Sequence, residues 1–399
     1  MATGLRPQRL SGAFPRLRAL AAVAALLAGC HPSTPPGRTA MHLEPVGWDA
    51  LPGWLADGLA AAVPPFREGC AAMRSRSALG GAGEAADRGG APAQWTSACT
   101  AAAALPIGDD AAARAFFEAN FRPFAVTAGI ERSGLFTGYY EPELAGSRTR
   151  GPGFATPLMR PPADLVLADL GAFDPTLSDR RIVGRVEDGQ LVPYPDRAAI
   201  EAGALRGEAP PLLWVADPID AFFLEIQGSG RVRLADGSVV RVGYAAENGR
   251  PYVPIGRVLI DRGALARDQV SLQTIRAWLV AHPSEATAVM DRNPSYVFFR
   301  ELPPMRSEQG PPGTLGAPLT PGRSLAVDPS YIPLGAPLWI ATTDALDGAP
   351  LRRLFLAQDT GGAIKGPVRG DIFWGWGDVA AARAGMMKAA GAVWLLLPR

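Results

Sequence analysis

The chain has 399 residues, of which 48% are hydrophobic and 19% are charged, and its formal net charge is +1. This length is sufficient for two hydrophobic cores, so two domains are predicted. No run of about 18 apolar residues occurs without a break, which excludes a bundle of membrane-spanning helices. The near-neutral charge excludes the basic surface of a nucleic-acid-binding protein, so no nucleic-acid partner is expected.

Residues 1–29 have the pattern of an export signal. A basic segment from Arg6 to Arg18 precedes an apolar segment at 20–27 that is too short to span a membrane stably. The sequence Leu-Ala-Gly-Cys at 27–30 resembles the bacterial lipoprotein processing box, in which Cys30 would be acylated. A plain secretory signal with a chance cysteine is the alternative.

The residues after Cys30 bear on where the protein is sorted. His31, rather than an aspartate, follows the cysteine, and this favours an outer-membrane lipoprotein that faces the periplasm of a Gram-negative bacterium. Residues 30–44 start with a polar, proline-rich stretch, as a tether between the lipid and the first domain would.

Two further cysteines, Cys70 and Cys99, flank a glycine-rich segment at 79–92. In an oxidising compartment such a pair favours a disulfide, which would close a flexible loop. Two separate buried thiols are the alternative.

Helical segments come first along the chain. Residues 45–140 are predicted to be the N-terminal, largely helical part of the first domain, with Asp109 and Asp110 before a helix at 111–121. The segment 133–142 is already strand-like, because it is aromatic and punctuated by glycine.

Strand patterns dominate the rest. An Asp-Gly turn within 231–242 predicts a β-hairpin, and apolar residues at helical spacing predict a helical interlude at 271–292. After Asn293 short strands and Gly-Pro turns return, consistent with a small β-barrel. The chain is therefore predicted to be mainly β with N-terminal helices.

The histidine content argues against several kinds of catalytic site. The three histidines, His31, His42 and His282, are too scattered for a zinc site or a nucleophile–histidine pair. The glycine-rich segment 361–366 lacks the residues of a phosphate-binding loop. No metal or other cofactor is expected, and carboxylate chemistry remains.

Asp371 is the leading candidate for that chemistry. In an extended segment, Asp371, Phe373 and Gly375 share one face, which puts the carboxylate beside an aromatic ring. Desolvation by such a wall raises the pKa of a carboxyl group, as a general acid requires, and aromatic faces stack on sugar rings. The alternative is that the aromatic residues are core and Asp371 caps a turn.

Lys365 is one of only two lysines in an arginine-rich chain. Its place between glycines points to a need for a compact ammonium group, and we count Lys365 and Phe373 among the substrate-binding candidates. A flexible, solvated lysine is the alternative.

Several segments, in order, resemble the family of membrane-bound lytic murein transglycosylase A. The similarity covers about 130–397 and rests on residues 134–142, 226–230, 243–249, 255–260, 293–299, 318–324, 359–366 and Asp371. It implies a double-psi β-barrel domain, a smaller inserted β-barrel at 141–260, and a groove between them. Residues 261–399 would complete the first domain, as a domain named for three aspartates.

The resemblance also implies roles for individual residues. Asp371 matches the catalytic acid, Asp359 the carboxylate that supports it, and Asp328 the third aspartate. Glu141 and Glu225 stand where relatives need not have glutamate, so neither is expected to be a second catalytic carboxylate. The groove would be lined by Tyr139, Tyr140, Gln227, Gly228, Ser229 and Tyr244.

The implied activity is non-hydrolytic cleavage of the β-1,4 bond between N-acetylmuramic acid and N-acetylglucosamine. One aspartate would act first as acid and then as base, leaving a 1,6-anhydro sugar. Peptidoglycan would be the partner, and other cell-wall enzymes are candidate partners. A β-1,4-glycan hydrolase and a non-catalytic wall-binding lipoprotein are the alternatives.

Overall fold

The computed structural model describes residues 39–75, 92–177, 180–205 and 207–399. The predicted export signal, with Cys30, lies outside the described residues. The first described elements are β1 (Met41–Pro45), α1 (Val63–Ser75), α2 (Pro92–Ala103), α3 (Asp110–Asn120), β2 (Phe121–Ala128) and β3 (Gly134–Glu141).

An aspartate cap and a disulfide bond fix the N-terminal helices. The Asp109 side chain accepts a hydrogen bond from the Ala112 amide at 2.9 Å and so caps α3, close to the helix predicted from the sequence. Cys70 on α1 and Cys99 on α2 form a disulfide. This bond ties the two helices on either side of residues 76–91, which are outside the described residues.

The middle of the chain alternates strands and short helices. Its elements are β4 (Glu143–Ser147), β5 (Thr156–Met159), β6 (Val166–Asp169), β7 (Arg181–Glu187), β8 (Gln190–Pro193), α4 (Arg197–Glu201), β9 (Pro211–Val215), α5 (Pro218–Gln227), β10 (Ser229–Arg233), β11 (Val239–Glu247), α6 (Ile255–Asp261), α7 (Leu272–Ala281), α8 (Pro283–Met290) and β12 (Val297–Glu301). The predicted hairpin is confirmed, since β10 and β11 pair antiparallel.

The last part contains the remaining strands and one helix. They are β13 (Ser324–Val327), β14 (Pro337–Thr343), β15 (Pro350–Thr360), β16 (Arg369–Trp376), α9 (Gly377–Met386) and β17 (Lys388–Pro398).

Six of the described strands close into a barrel. The ring runs β17-β14-β15-β13-β16-β3 and returns to β17, because the long β17 pairs with β3, β14 and β2. Strands β1 and β2 extend the sheet beyond the ring. Buried Trp339, Phe355 and Phe136 fill the core on which the N-terminal helices pack. The double-psi arrangement within this barrel stays a prediction.

The described strands from β4 to β12 lie outside that ring. A six-stranded sheet has the order β12-β11-β10-β4-β9-β5, and β6, β7 and β8 form a smaller sheet. The end of the inserted domain at 260 stays a prediction. Strand β12, which follows it, pairs with β11 of the six-stranded sheet through Glu301 and Val242. Helices α6 to α8 pack with Phe222 and Phe223 of α5, so they accompany this module.

A buried ion cluster lies where the chain leaves the barrel. Glu141, at the end of β3, is fully buried and accepts hydrogen bonds from Arg231 on β10 and Arg241 on β11 at 2.7–2.9 Å. The same arginines donate to the carbonyl oxygens of Ser307 and Gln309 on the returning segment. The cluster therefore holds the chain at one point, both where it leaves the barrel and where it returns to it.

We expect Glu141→Gln to lower the free energy of unfolding by about 3–5 kcal/mol, because it leaves two buried arginines without their anion. Urea unfolding measures the loss. Glu143→Gln is the matched control: Glu143 pairs with Arg233 at the surface, and its loss should cost less than about 1 kcal/mol. Equal losses in the two variants would contradict a special role for the buried cluster.

Candidate active site

Asp371 lies in the wall of the barrel, on β16 between β13 and β3. Its register partners are Ala326 on one side and Thr137 on the other. The Thr137 hydroxyl donates a hydrogen bond to Oδ1 of Asp371 at 2.7 Å. Side chains of register partners share a face, so Thr137 and Asp371 point the same way from the sheet.

The environment favours the protonated form of Asp371. Burial raises the pKa of its carboxyl to about 6, and the neighbouring Asp359 adds to the rise. The hydrogen bond from Thr137 and the charge of Arg369 act in the opposite direction. A carboxyl with this pKa is partly protonated near neutral pH and can act as a general acid.

Asp359, on β15, is held on both of its oxygens. Oδ2 accepts a hydrogen bond from the Tyr139 hydroxyl at 2.8 Å, and Oδ1 accepts from the amide and hydroxyl of Thr314, both at 2.9 Å. Burial raises the pKa of Asp359, while these hydrogen bonds lower it. The carboxylate is therefore fixed in orientation.

Tyr139 lies near both aspartates but bonds only to Asp359. Burial and the neighbouring Asp359 and Asp371 raise its pKa well above the ordinary value, so its hydroxyl stays a donor. Its ring packs on Phe373, with centroids 5.3 Å apart. Phe373 is fully buried. This corrects its predicted place in the groove: the buried Phe373 ring packs against Tyr139 and offers no face to a sugar.

Asp328 positions the glycine-rich loop that carries Lys365. Its Oδ2 accepts a hydrogen bond from the Gly366 amide at 2.8 Å, and its Oδ1 accepts from Ser330. Gly366 has φ +106°, which a residue with a side chain rarely adopts. The loop therefore has a fixed course and leaves Lys365 exposed.

Residues of the second sheet face this loop. Lys365 attracts Glu247 on β11 electrostatically, which lowers the Glu247 pKa against the larger effect of burial. Tyr244, also on β11, is 48% exposed, and both burial and Glu247 raise its pKa. Its amide donates to the Gly228 carbonyl at 2.7 Å. Lys365 and Tyr244 thus belong to neighbouring parts of one surface that includes both sheets.

The other predicted groove residues differ in exposure. Gln227 is half-buried and its Oε1 accepts a hydrogen bond from the Tyr140 amide at 3.0 Å. Gly228 ends α5 with φ +79°, and Ser229, which starts β10, is buried. These residues therefore set the course of the backbone where α5 meets β10.

Tyr140 faces away from Tyr139, because successive residues of β3 alternate between faces. Its side chain lines a separate cleft of about 180 Å³ with Phe223, Leu272 and the ion pair of Asp220 and Arg276. The structure thus does not bring Tyr140 together with Asp371, although both were predicted to face the groove.

The two glutamates considered as second carboxylates are engaged elsewhere. Glu141 belongs to the buried ion cluster described above. Glu225 pairs with Arg197 through both oxygens, at 3.0 and 2.8 Å, and accepts from the Val297 amide. Neither is free to act on a substrate.

Two further observations concern the described residues as a whole. Among them, no group of three or more histidine, cysteine, aspartate or glutamate side chains could hold a metal ion. None of the helices in this part of the chain is both long and apolar enough to cross a membrane.

The sequence alone does not single out Thr137, Thr314 or Arg369. Thr137 lies inside the segment 134–142 that carried the resemblance, and its register opposite Asp371 was the missing information. Thr314 lies in a Gly-Pro loop with no pattern of its own. Arg369 precedes Asp371 by two residues. The sequence alone does not distinguish it from an exposed arginine that has no role in the site.

Known protein families match this chain in two separate segments. Residues 135–300 match the MltA specific insert domain, and residues 323–397 match the 3D domain. Membrane-bound lytic murein transglycosylase A of Escherichia coli K12 is 35% identical over 293 residues, 69% of this chain and 71% of that protein. Its counterpart in Vibrio cholerae is 39% identical over 212 residues, 51% of this chain, and the match spans only 55% of that relative.

Solved structures share the fold. The membrane-bound lytic murein transglycosylase from Agrobacterium tumefaciens gives a TM-score of 0.78 at 36% identity, with 90% of this chain and 98% of that chain covered. Escherichia coli MltA with bound chitohexaose gives 0.63 at 27% identity, with 91% and 93% covered. The mainly β fold with N-terminal helices is thus confirmed.

The raised pKa of Asp371 predicts how the stability of the folded protein depends on pH. Because the folded-state pKa of about 6 exceeds the ordinary 3.8, the native state favours the proton, and stability present below pH 4 is lost as the pH rises through 6. Asp371→Asn removes this ionisation, so we expect it to be more stable than wild type at pH 7.5, by up to about 3 kcal/mol.

Urea unfolding at pH 4.5 and 7.5 measures this difference, which should be small at the lower pH. Asp236→Asn is the control, because Asp236 lies on an exposed turn where hydrogen bonds from Ser238 lower its pKa. The prediction is contradicted if Asp371→Asn is no more stable than wild type at pH 7.5. It is also contradicted if Asp236→Asn gains the same stability.

Proposed function

Since the chain belongs to the family of membrane-bound lytic murein transglycosylase A, we propose that it is a peptidoglycan lytic transglycosylase. It cleaves the β-1,4 bond between N-acetylmuramic acid and N-acetylglucosamine without water, as a carbon–oxygen lyase. The observation that carries the proposal is Asp371, a half-buried carboxyl whose pKa is raised to about 6 by desolvation and by the neighbouring Asp359.

The first step is protonation of the bond that breaks. Protonated Asp371 gives its proton to the glycosidic oxygen, and N-acetylglucosamine leaves as an alcohol while positive charge develops at C1 of N-acetylmuramic acid. Asp371 is then a carboxylate. Asp359, held by Tyr139 and Thr314, adds negative charge near this centre and so opposes early loss of the Asp371 proton.

The second step closes the ring. The C6 hydroxyl of N-acetylmuramic acid attacks C1, and Asp371 takes the hydroxyl proton, which returns the acid to its starting state. An intramolecular hydroxyl in good orientation has an effective molarity on the order of 10⁵ M or more, so it outcompetes water. The product is a 1,6-anhydro end.

The arrangement of carboxylates favours this reaction over hydrolysis. Most glycosidases use two carboxyl groups, one as acid and one as base or nucleophile. Here both oxygens of Asp359 are engaged by hydrogen bonds, and Glu141 and Glu225 are engaged by arginines. Of these four carboxyl groups, Asp371 remains for proton transfer, which fits a reaction whose nucleophile belongs to the substrate.

The groove supports a glycan as the ligand. The Escherichia coli relative has been solved with chitohexaose, an oligosaccharide, and the exposed ring of Tyr244 offers a face on which a sugar can stack. Lys365 on the opposite loop supplies a cation for a carboxylate or carbonyl of the peptidoglycan. We assign both residues to substrate binding.

Attachment to the membrane is part of the proposal. The related proteins are named membrane-bound, and Cys30 follows an export signal in a lipoprotein-like box. We propose that acylated Cys30 anchors the enzyme to the outer membrane with its active site in the periplasm.

We expect Asp371→Asn to reduce release of 1,6-anhydro-muropeptides from purified sacculi to background. Asparagine keeps the size and the acceptor for Thr137 but removes both proton transfers, each worth about 10² to 10⁴ in rate. Asp359→Asn should leave reduced but measurable turnover. Mass spectrometry of the released muropeptides separates anhydro ends from hydrolysed ends.

Binding to sacculi is the control for Asp371→Asn, and it should persist because the groove is unchanged. Near wild-type release of anhydro products by Asp371→Asn would show that the acid is another residue. Hydrolysed ends from the wild-type enzyme would favour a glycan hydrolase, and binding without any release would favour a wall-binding protein.

Replacing the predicted acylation site tests the anchor. We expect Cys30→Ser to yield a soluble or unprocessed protein, because the mature chain would lack its lipid. Fractionation of cells and intact mass measure this. A processed variant that still sediments with the outer membrane at the wild-type level would contradict the assignment.

A further inference from the structure

A short hydrogen-bond chain runs to Asp371 from Arg369. Nη2 of Arg369 donates to Oγ1 of Thr137 at 2.8 Å, and Oγ1 of Thr137 donates to Oδ1 of Asp371 at 2.7 Å. Arg369 belongs to β16, like Asp371, while Thr137 belongs to β3. The chain thus crosses between the two strands that pair parallel at this point.

The direction of these bonds follows from the donors that each group has. A guanidinium group can only donate, so Thr137 must accept from Arg369 through an oxygen lone pair. The single hydroxyl proton of Thr137 is then left for Asp371, whose Oδ1 accepts it. Without Arg369, the hydroxyl could rotate and accept a proton from the carboxyl instead.

Arg369 is itself held in place. Nη1 donates to the carbonyl oxygens of Leu135 and Gly370, and burial lowers the guanidinium pKa while Asp371 raises it. Arginine stays charged under these opposing effects, because its ordinary pKa lies far above neutral pH. The guanidinium group therefore presents a fixed donor to Thr137.

We propose that Arg369 and Thr137 are positioning residues that keep Oδ1 of Asp371 as an acceptor and so place the catalytic proton on Oδ2. Among the described residues, hydrogen bonds to the Asp371 side chain reach Oδ1 only. Oδ2 is thus the oxygen left for the glycosidic bond. This inference rests on the proposed function, because it names how that reaction's acid is oriented.

The hydrogen bond from Thr137 also affects whether Asp371 is protonated or ionised. Asp359 from β15 and the Tyr139 hydroxyl from β3 are the other titratable groups beside Asp371, and β13 contributes Ala326. Lys388 on β17 lies opposite Thr137 in register. The bond from Thr137 and the charge of Arg369 both stabilise the carboxylate form, which is the base of the second step.

The pH profile of turnover tests this role. The first step needs protonated Asp371, so the wild-type rate should fall as the pH rises above about 6. Thr137→Val removes the donor, and Arg369→Met removes the charge and the fixed orientation. We expect each to move the basic limb upward by about half a pH unit or more and to lower the maximal rate about tenfold.

Two further variants complete the design. Thr137→Ser keeps the hydroxyl, so the basic limb of its pH profile and its maximal rate should match those of the wild-type enzyme. Thr127→Val makes the same chemical change on β2, where the hydroxyl donates to the Gly129 carbonyl at 2.9 Å, and should leave the profile unchanged. A folded Thr137→Val enzyme with a lower rate at every pH but an unmoved limb would overturn the proposal.

A second measurement does not depend on turnover. Carbon-13 NMR of aspartate-labelled protein follows the Asp371 carboxyl, which is identified by its absence in Asp371→Asn. Its midpoint should rise in Thr137→Val and Arg369→Met, and an unchanged or lower midpoint would overturn the positioning role. Lack of anhydro products from the wild-type enzyme, with the midpoint shift present, would instead contradict the proposed function.

Discussion

The buried ion cluster of Glu141, Arg231 and Arg241 is the constraint on which the arrangement of the two sheets depends. Glu141 ends the barrel strand that carries Thr137 and Tyr139, while the arginines come from the second sheet. The guanidinium group of Arg231 also lies over the Trp376 ring at 4.1 Å, at the end of the strand that carries Asp371. A shift of one sheet against the other would separate buried charges, which is costly.

The proposed active site has the opposite balance of forces. At Glu141 full pairing compensates for burial of the charge, whereas at Asp371 burial is compensated only in part. Thr137 and Arg369 favour the carboxylate, and desolvation and Asp359 favour the acid. An acid that must become a base in the same cycle needs such a balance, because either form must be reachable without a large cost.

Local chemistry could be read from the sequence, while contacts between distant segments could not. The cap of α3 and the β10–β11 hairpin depend on Asp109 and on one Asp-Gly turn, and both were predicted. Strand alternation placed Phe373 on the face of Asp371 but could not give its depth, and the ring lies buried under Tyr139. The sequence could not show that β12 joins the second sheet after three helices, because its partner β11 lies far away along the chain.

The donor to Asp371 comes from a residue 234 positions earlier in the chain. The whole second sheet lies between the two, and β17, which closes the ring beside β3, is made later still. Pairing of strands so far apart in sequence is slow, because a long loop must close before any contact forms. A chain in which β3 and β16 have not yet paired therefore has Asp371 without the hydrogen bond from Thr137. The hydrogen bond to the proposed acid therefore forms only once these distant strands have paired, so it reports on the completed barrel.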